Sequence, residues 1–452
     1  MEIAAHTLGC KLNSAETSTI VGEFRARGWD VTRSARDANV YLLNTCSVTA
    51  NAERECRQIV RRVLRENPSA FIAVTGCYAQ LRPEEIASIE GVDVVLGAKE
   101  KFDLFSYITS FEKLDAPKIF SSPIDEVTDF HLAATSDTSE RTRAFLKVQD
   151  GCDYTCSYCT IPMARGTSRS TKIEDILHEA RRLCADGFLE IVLSGVNVGD
   201  YGASLGLEFV DLVRAIENDD KITARIRISS IEPNLLTDEI IDIVAHSSKF
   251  CPHFHIPMQS GSDKILRLMQ RRYTAATYRE RIEKVKQAIP DCGIGVDVIV
   301  GFPGETEEDF DATYQFLADL EISYLHVFSY SERPDTKAAS MSERVSKDVR
   351  KLRNERLRML SEKKRQSFYR TQLGSTRIML IEDETEVDEH GAVMTGGFTE
   401  NYVRVSISQN KLPANALALS VRLDRIGGES VLALPVEILE YRSEEILLPI
   451  LQ

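Results

Sequence analysis

Gly151-Cys152-Asp153-Tyr154-Thr155-Cys156-Ser157-Tyr158-Cys159 carries three cysteines at C-x3-C-x2-C spacing, directly after the apolar residues 144–148. Three thiolates can hold three irons of a four-iron, four-sulfur cluster, which ordinarily takes four cysteines. The spacing therefore describes a cluster with one iron open to a small molecule. Zinc is the alternative, with a fourth ligand from Cys184, Cys251 or His253. Structural zinc favours paired C-x2-C or H-x3-H spacings, which the x3 gap fits poorly.

Working outward, residues 144–148 read as a strand feeding the cysteine loop. Further candidate strands lie at 189–193, 225–228, 253–256, 295–300 and 324–328. Helical patterns separate them, at 173–186, 235–245, 278–288 and 307–320. Six β/α units imply an incomplete (β/α)6 barrel, whose chemistry belongs at the carboxyl ends of the strands. The segments there are small or polar: Ser194-Gly195-Val196-Asn197, Ser229-Ser230-Ile231-Glu232, and His255 through Gln259 to Ser262. Gly295-Val296-Asp297 opens the fifth strand and Gly301-Phe302-Pro303-Gly304-Glu305 closes it. Glycine permits close backbone approach, and Ser, Asn, Gln, Glu and Asp supply hydrogen bonds for a ribose and an amino acid. Ser194, Gly195, Asn197, Ser229, Glu232, Gln259 and Asp297 are the candidate cofactor contacts.

Before the barrel, residues 3–8, 40–44 and 71–75 read as buried strands, and 29–32 and 92–96 as further ones. Helices near 15–27 and at 50–66 intervene, which predicts a doubly wound parallel sheet. Cys10, Cys46 and Cys77 each fall just past the end of a strand, where open α/β sheets bind ligands. Topology alone makes them a second three-cysteine site; Cys56 lies within a helix and is left out. Residues 121–143 read as a linker. Short strands at 377–381, 392–394, 403–407, 417–423 and 431–438, with turns at 388–391 and Gly427-Gly428, predict a small antiparallel β-barrel. The expected domains are 1–120, 144–371, which ends in a basic helix, and 372–440, followed by a tail at 441–452.

Composition excludes several classes. Ten cysteines in 452 residues do not form a secreted disulfide framework. The first ten residues lack a signal-peptide pattern, and no apolar run approaches the roughly 18 residues of a membrane span. A cytoplasmic, membrane-free protein is expected. The net charge of −14 argues against indiscriminate nucleic-acid binding. Between Arg350 and Arg370, however, nine Lys and Arg face only Glu355 and Glu362, and such a helix can track phosphates.

The cysteine loop resembles that of radical S-adenosylmethionine enzymes, and the whole chain resembles their methylthiotransferase family. The resemblance rests on Thr7-Leu8-Gly9-Cys10-Lys11-Leu12-Asn13, Asn44-Thr45-Cys46-Ser47-Val48-Thr49, Thr75-Gly76-Cys77, Gly151 to Gly166, His255 to Ser262 and Gly301 to Glu305. It implies S-adenosylmethionine and two [4Fe-4S] clusters, on Cys152, Cys156, Cys159 and on Cys10, Cys46, Cys77. It implies Tyr158 near the adenine of the cofactor, and a C-terminal barrel of the RNA-binding TRAM type. In the family one cofactor molecule methylates a sulfur on the second cluster, and another yields a radical that takes a substrate hydrogen. An aromatic C–H offers acid–base chemistry nothing, so no side-chain general acid or base is expected.

Family branches modify threonylcarbamoyladenosine or isopentenyladenosine in tRNA, or a ribosomal-protein aspartate. Thr7 to Asn13, Cys46-Ser47-Val48-Thr49 and Tyr158-Cys159-Thr160-Ile161-Pro162 resemble the first branch most. The implied partners are a tRNA anticodon stem-loop, an electron donor such as flavodoxin or ferredoxin, and a sulfide or polysulfide source. Arg165 and Arg169 are the candidate contacts to RNA or to the threonyl carboxylate. Residues 377–452 are acidic, unlike a surface that grips phosphate.

Overall fold

Alternating apolar runs and helices fold the N-terminal region into one parallel sheet. Its strands are β1 (Glu2–Thr7), β2 (Asp30–Val31), β3 (Val40–Thr45), β4 (Phe71–Gly76), β5 (Val94–Leu96) and β6 (Lys118–Phe120), in the order β2-β1-β3-β4-β5-β6. Every residue of β3 and β4 is buried, as expected of central strands covered on both faces. The computed structural model describes residues 1–47, 50–135, 142–387 and 391–441. Val48 and Thr49, residues 136–141 of the expected linker, 388–390 of the expected turn and 442–452 of the tail lie outside the described residues.

The first helix, Lys11–Ala26, begins directly after Cys10, four residues before the predicted start. Part of the expected linker is ordered into the fold. Ala133–Ala134 (β7) pairs antiparallel with Arg143–Lys147 (β8), and both alanines are buried. The hairpin Gln149–Asp150 (β9) and Arg169–Ser170 (β10) then closes the base of the cysteine loop.

The central domain has six parallel strands: β8, β11 (Glu190–Ser194), β12 (Arg225–Ile228), β13 (His253–His255), β14 (Gly293–Val300) and β15 (Tyr324–Ser329). Ladders join β8 to β11 and β12, and β13 to β14 and β15. The bridges Ile226↔Phe250 and Ser230↔His255 connect the two halves. β8 and β15 do not pair, so the barrel is open on one side. The N-terminal helix packs against β7 and β8 at that opening.

β16 (Thr376–Val387), β17 (Val393–Thr399), β18 (Arg404–Ser408), β19 (Ala416–Gly427) and β20 (Ser430–Tyr441) form a closed barrel. One pairing corrects the all-antiparallel expectation: β18 and β20 run parallel. The tight turn at Gly427-Gly428 reverses β20 against β19, which leaves it aligned with β18 at the seam. No helix among the described residues is long and apolar enough to cross a membrane.

Two glycines hold the cysteine turns. Gly76, before Cys77, has φ +99°, and a Cβ there would lie 2.3 Å from the Thr45 carbonyl oxygen. Gly151, before Cys152, has φ +71°, and its Cβ would meet the Thr167 oxygen at 1.9 Å. Gly151→Ala is expected to cost about 1–3 kcal/mol of backbone strain plus the clash. A lowered urea midpoint with loss of iron uptake at the 152–159 loop checks it.

Candidate active site

The strand ends deliver the cysteines as topology requires. β1, β3 and β4 are neighbours, and Cys10, Cys46 and Cys77 follow their carboxyl ends. Gly9 brings the first two turns together: a Cβ on it would lie 3.0 Å from Cys46 Sγ. Cys77 starts the short helix Cys77–Leu81, which packs on the helix Ile161–Arg165 that follows Cys159. Cys77 thus stands at the helix pair that joins the sheet edge to the chain after Cys159. The two triads converge on one junction.

A buried ion network holds that junction. Glu16 of the first helix is fully buried. It meets Lys101 Nζ at 2.6 Å, Lys147 Nζ at 3.3 Å and Arg165 Nη1 at 3.0 Å. Asp150 takes Arg165 at 2.9 Å and Lys147 at 3.2 Å. Arg165 also donates to Asn13 Oδ1 at 2.6 Å, and Asn13 Nδ2 donates to the carbonyls of Leu8 and Thr45. One guanidinium therefore ties the cluster loop of the barrel to two cysteine turns of the sheet. Burial opposes the charge on Glu16, but Arg165, Lys101 and Lys147 outweigh it and hold the carboxyl well below its usual range.

This corrects the expectation for Arg165 and Arg169. Arg165 is spent on Glu16, Asp150 and Asn13. Arg169 donates to the carbonyls of Arg165, Thr167 and Asp129. Both are buried within the protein rather than turned toward a ligand.

Neither triad is spaced for one ion. Among the described residues, no three cysteine sulfurs lie within 4.8 Å of one another, whereas thiolates on tetrahedral zinc with 2.3 Å bonds sit about 3.8 Å apart. Burial pushes the Cys152 and Cys159 thiols up to about 12, so their deprotonation needs the metal. Backbone N–H groups of Tyr154 and Ile161 point at Cys152 and Cys159 Sγ, each at 3.4 Å.

The sequence comparisons agree with this geometry. The Radical SAM superfamily matches residues 146–317, and "Uncharacterized protein family UPF0004" matches residues 2–97. A threonylcarbamoyladenosine tRNA methylthiotransferase (MtaB) of Bacillus subtilis is 39% identical, covering 89% of this chain and 89% of its own. The chain belongs to the radical SAM methylthiotransferase family. The Aquifex aeolicus MtaB is 36% identical over 90% of this chain and 96% of its own. A tRNA-2-methylthio-N(6)-dimethylallyladenosine synthase of Endomicrobium trichonymphae is 35% identical over 85% of this chain and 89% of its own. In fold, the chain is similar to the radical S-adenosylmethionine methyltransferase TsrM of Kitasatospora setae, with TM-score 0.56 and 16% identity over 75% and 77% of the two chains.

As a radical SAM methylthiotransferase the chain uses S-adenosylmethionine and [4Fe-4S] chemistry. The expected cofactor residues distribute unevenly around the loop. Asn197 and Glu232 come together: Glu232 N–H donates to Asn197 Oδ1 at 3.3 Å. Arg271 then links Glu232 to Cys156, donating to the carboxylate and, at 3.1 Å, to Cys156 Sγ. Burial raises the Glu232 carboxyl against the pull of Arg271. Gly195 has no room for a side chain, because a Cβ would lie 2.9 Å from Gln149 Oε1. Ser229 Oγ is buried without a hydrogen-bond partner in the protein, an orphan that suits a ligand. Tyr158 stands edge-on to Phe302 at 6.2 Å. Gln259 takes a left-handed backbone, φ +67°, beside the strand β14.

Two candidates are otherwise engaged. Ser194 Oγ donates to its own strand at the Val192 carbonyl. Asp297 accepts from His255 Nε2 at 2.8 Å and stands 3.3 Å from His326 Nδ1. Arg271, Gln149, Asn13 and Glu16 were missed from sequence, since their partners lie 39 to 152 positions away and no local pattern marks them.

The basic helix, Lys347–Gln372, is largely a brace. Arg350 pairs with Glu332, Arg353 with Glu305 and Glu307, and Arg356 with Glu307 and Asp311. A different basic surface exists on the N-terminal domain. Arg57, Arg61, Arg62 and Arg65 line a groove of about 1410 Å³ along the helix Ala50–Glu66, with Glu55, Glu85 and Glu90 and with Lys113, which is paired to Asp93, also in its walls.

Glu16→Gln is expected to cost about 3–5 kcal/mol, because three buried cations lose their shared counter-charge. With the Glu16 carboxyl depressed in the folded state, its stabilisation is complete above the unfolded value of about 4.3 and is lost as pH falls below it. Urea titrations of wild type and variant between pH 7 and pH 3 check both, the gap between them closing in acid.

Proposed function

We propose that this chain transfers a methylthio group to C2 of N6-threonylcarbamoyladenosine next to the anticodon of tRNA. One observation carries the reading: the helix that begins at Cys77 packs on the helix that follows Cys159, and Arg165 of the latter is bonded through Asn13 to the turns at Cys10 and Cys46. The threonylcarbamoyl specificity is supported by the names of the Bacillus subtilis and Aquifex aeolicus relatives. When bound, the clusters and S-adenosylmethionine supply one-electron cleavage, hydrogen abstraction and the transferred sulfur.

The chain's own residues bind, orient and shield. Cys152, Cys156 and Cys159 hold one cluster, and Cys10, Cys46 and Cys77 the other. Asn197, Ser229 and Glu232 meet the amino-acid and ribose parts of the cofactor, with Tyr158, Gly195 and Gln259 completing its pocket. Arg271 offsets charge at Cys156. The Arg165 clamp fixes sulfur donor and acceptor at short range, the proximity such a transfer needs. No side chain acts as general base. The arginine groove offers the phosphate backbone a local positive field on an acidic protein. A cytoplasmic setting, a flavodoxin or ferredoxin as electron donor, and a sulfide or polysulfide source complete the reading.

Mass analysis of tRNA nucleosides from cells lacking the protein is expected to show loss of 2-methylthio-threonylcarbamoyladenosine. Loss of the methylthio-isopentenyl nucleoside instead would transfer the assignment to that branch. In anaerobic reconstitution the wild-type chain should bind about eight irons, and Cys77→Ala or Cys152→Ala about four each, with product formation abolished in both.

A further inference from the structure

The barrel opening contains a cation with no partner. Lys11 follows Cys10 and begins the helix clamped to the barrel by Glu16. Its side chain is open to solvent, yet barrel residues from four strands surround it. Arg143 of β8 and Arg227 of β12 lie close enough to repel it, and Glu190 of β11 and Asp297 of β14 to attract it. Lys11 therefore opens its helix beside Cys10 and faces the charged residues of the barrel strands. Among the described residues it makes no hydrogen bond and no ion pair.

The neighbouring charged groups already have other partners. Arg227 binds Glu190 and the carbonyls of Glu400 and Thr399. Arg143 pairs with Glu382. Asp297 is flanked by His255 and His326. Lys11 alone in this set offers an uncommitted charge.

The last barrel strand carries open aromatic side chains near Asp297. In β15, Leu325 and Val327 face the helix Lys347–Gln372, where Ser361 and Asn354 bond their backbone. Alternation turns His326 and Phe328 toward the barrel interior. They remain 52% and 45% exposed there, an unusual state for aromatic side chains on an inner face.

A cation without an ion pair, across Asp297 from the open rings of β15, matches one chemistry: a flat base carrying a carboxylate. We infer that Lys11 binds the threonyl carboxylate of the substrate nucleoside and is the residue that selects it, with Phe328 stacking on the adenine. The inference rests on the tRNA reading above and deepens it. A carboxylate leaving water needs a charged partner, and an isopentenyl group does not. Lys11 thereby takes the role expected of Arg165 and Arg169.

The test compares anticodon stem-loops carrying threonylcarbamoyladenosine, its carboxyl methyl ester, or isopentenyladenosine, by anisotropy and by single-turnover product formation. Wild type should bind the acid about 10- to 100-fold more tightly than the ester, as a charged hydrogen bond implies. Lys11→Met should bind acid and ester alike, while Lys11→Arg should retain much of the preference. Iron content and melting temperature report whether the variants fold. Should Lys11→Met fail to load iron, the wild-type acid-to-ester ratio decides, and a ratio near one overturns the inference. An unchanged ratio in a folded Lys11→Met also overturns it. A wild-type protein that modifies only the isopentenyl stem-loop overturns the tRNA reading instead, which is a distinguishable result.

Discussion

The fully buried carboxylate of Glu16 is the point on which the architecture turns. It belongs to the N-terminal sheet domain, and two of its three cationic partners belong to the barrel domain. A buried charge without partners is prohibitively expensive, so the helix bearing Glu16 can dock only where Lys147 and Arg165 wait for it. That requirement fixes the relative position of two domains with separate apolar cores. Their cores do the work of folding, and the ion network sets registration. It places Arg165 within reach of Asn13, and Asn13 within reach of the chain just before Cys10 and just before Cys46.

The excess of positive charge in this network has a second consequence. Arg165 and Lys101 favour the ionised form of the Cys77 thiol, against its burial. Metal binding removes protons from thiols, so a nearby cation offsets part of the cost of assembling an anionic centre. Arg271 stands in the same relation to Cys156. Each triad thus has one guanidinium that links it to another part of the protein and stabilises its charge.

Across the surface, an acidic chain must still receive a polyanion. The helix Lys347–Gln372 carries many cations, but Arg350 and Arg353 are buried in ion pairs that join it to the barrel. Lys351, Arg358 and Lys363 remain exposed on its outer side. The arginines along Ala50–Glu66 lie instead in an open groove. The distinction between structural and available charge depends on which acidic residues come into contact, and that is set by packing.

Much of the fold was legible in the chain. Runs such as Tyr41-Leu42-Leu43 and Ile72-Ala73-Val74 announce central parallel strands, because only a doubly covered strand is apolar at every position. Cysteines immediately beyond such runs must lie at one sheet edge, so both triads were readable from spacing and topology. The parallel β18–β20 seam and the pairing of β7 were not readable, since short strands carry little register information. Charged residues were the least legible. Arg165 reads as a free cation next to a cluster motif, and only Glu16, 149 positions away, reveals it as a clamp. Lys11 reads only as part of the Thr7 to Asn13 motif, ahead of the expected helix, and only the barrel strands show which charges it faces. Local pattern determined the strands, the placing of the cysteines at strand ends and the family. Tertiary structure decided which charges are spent and which are open, because that balance is a property of distant neighbours brought together by docking.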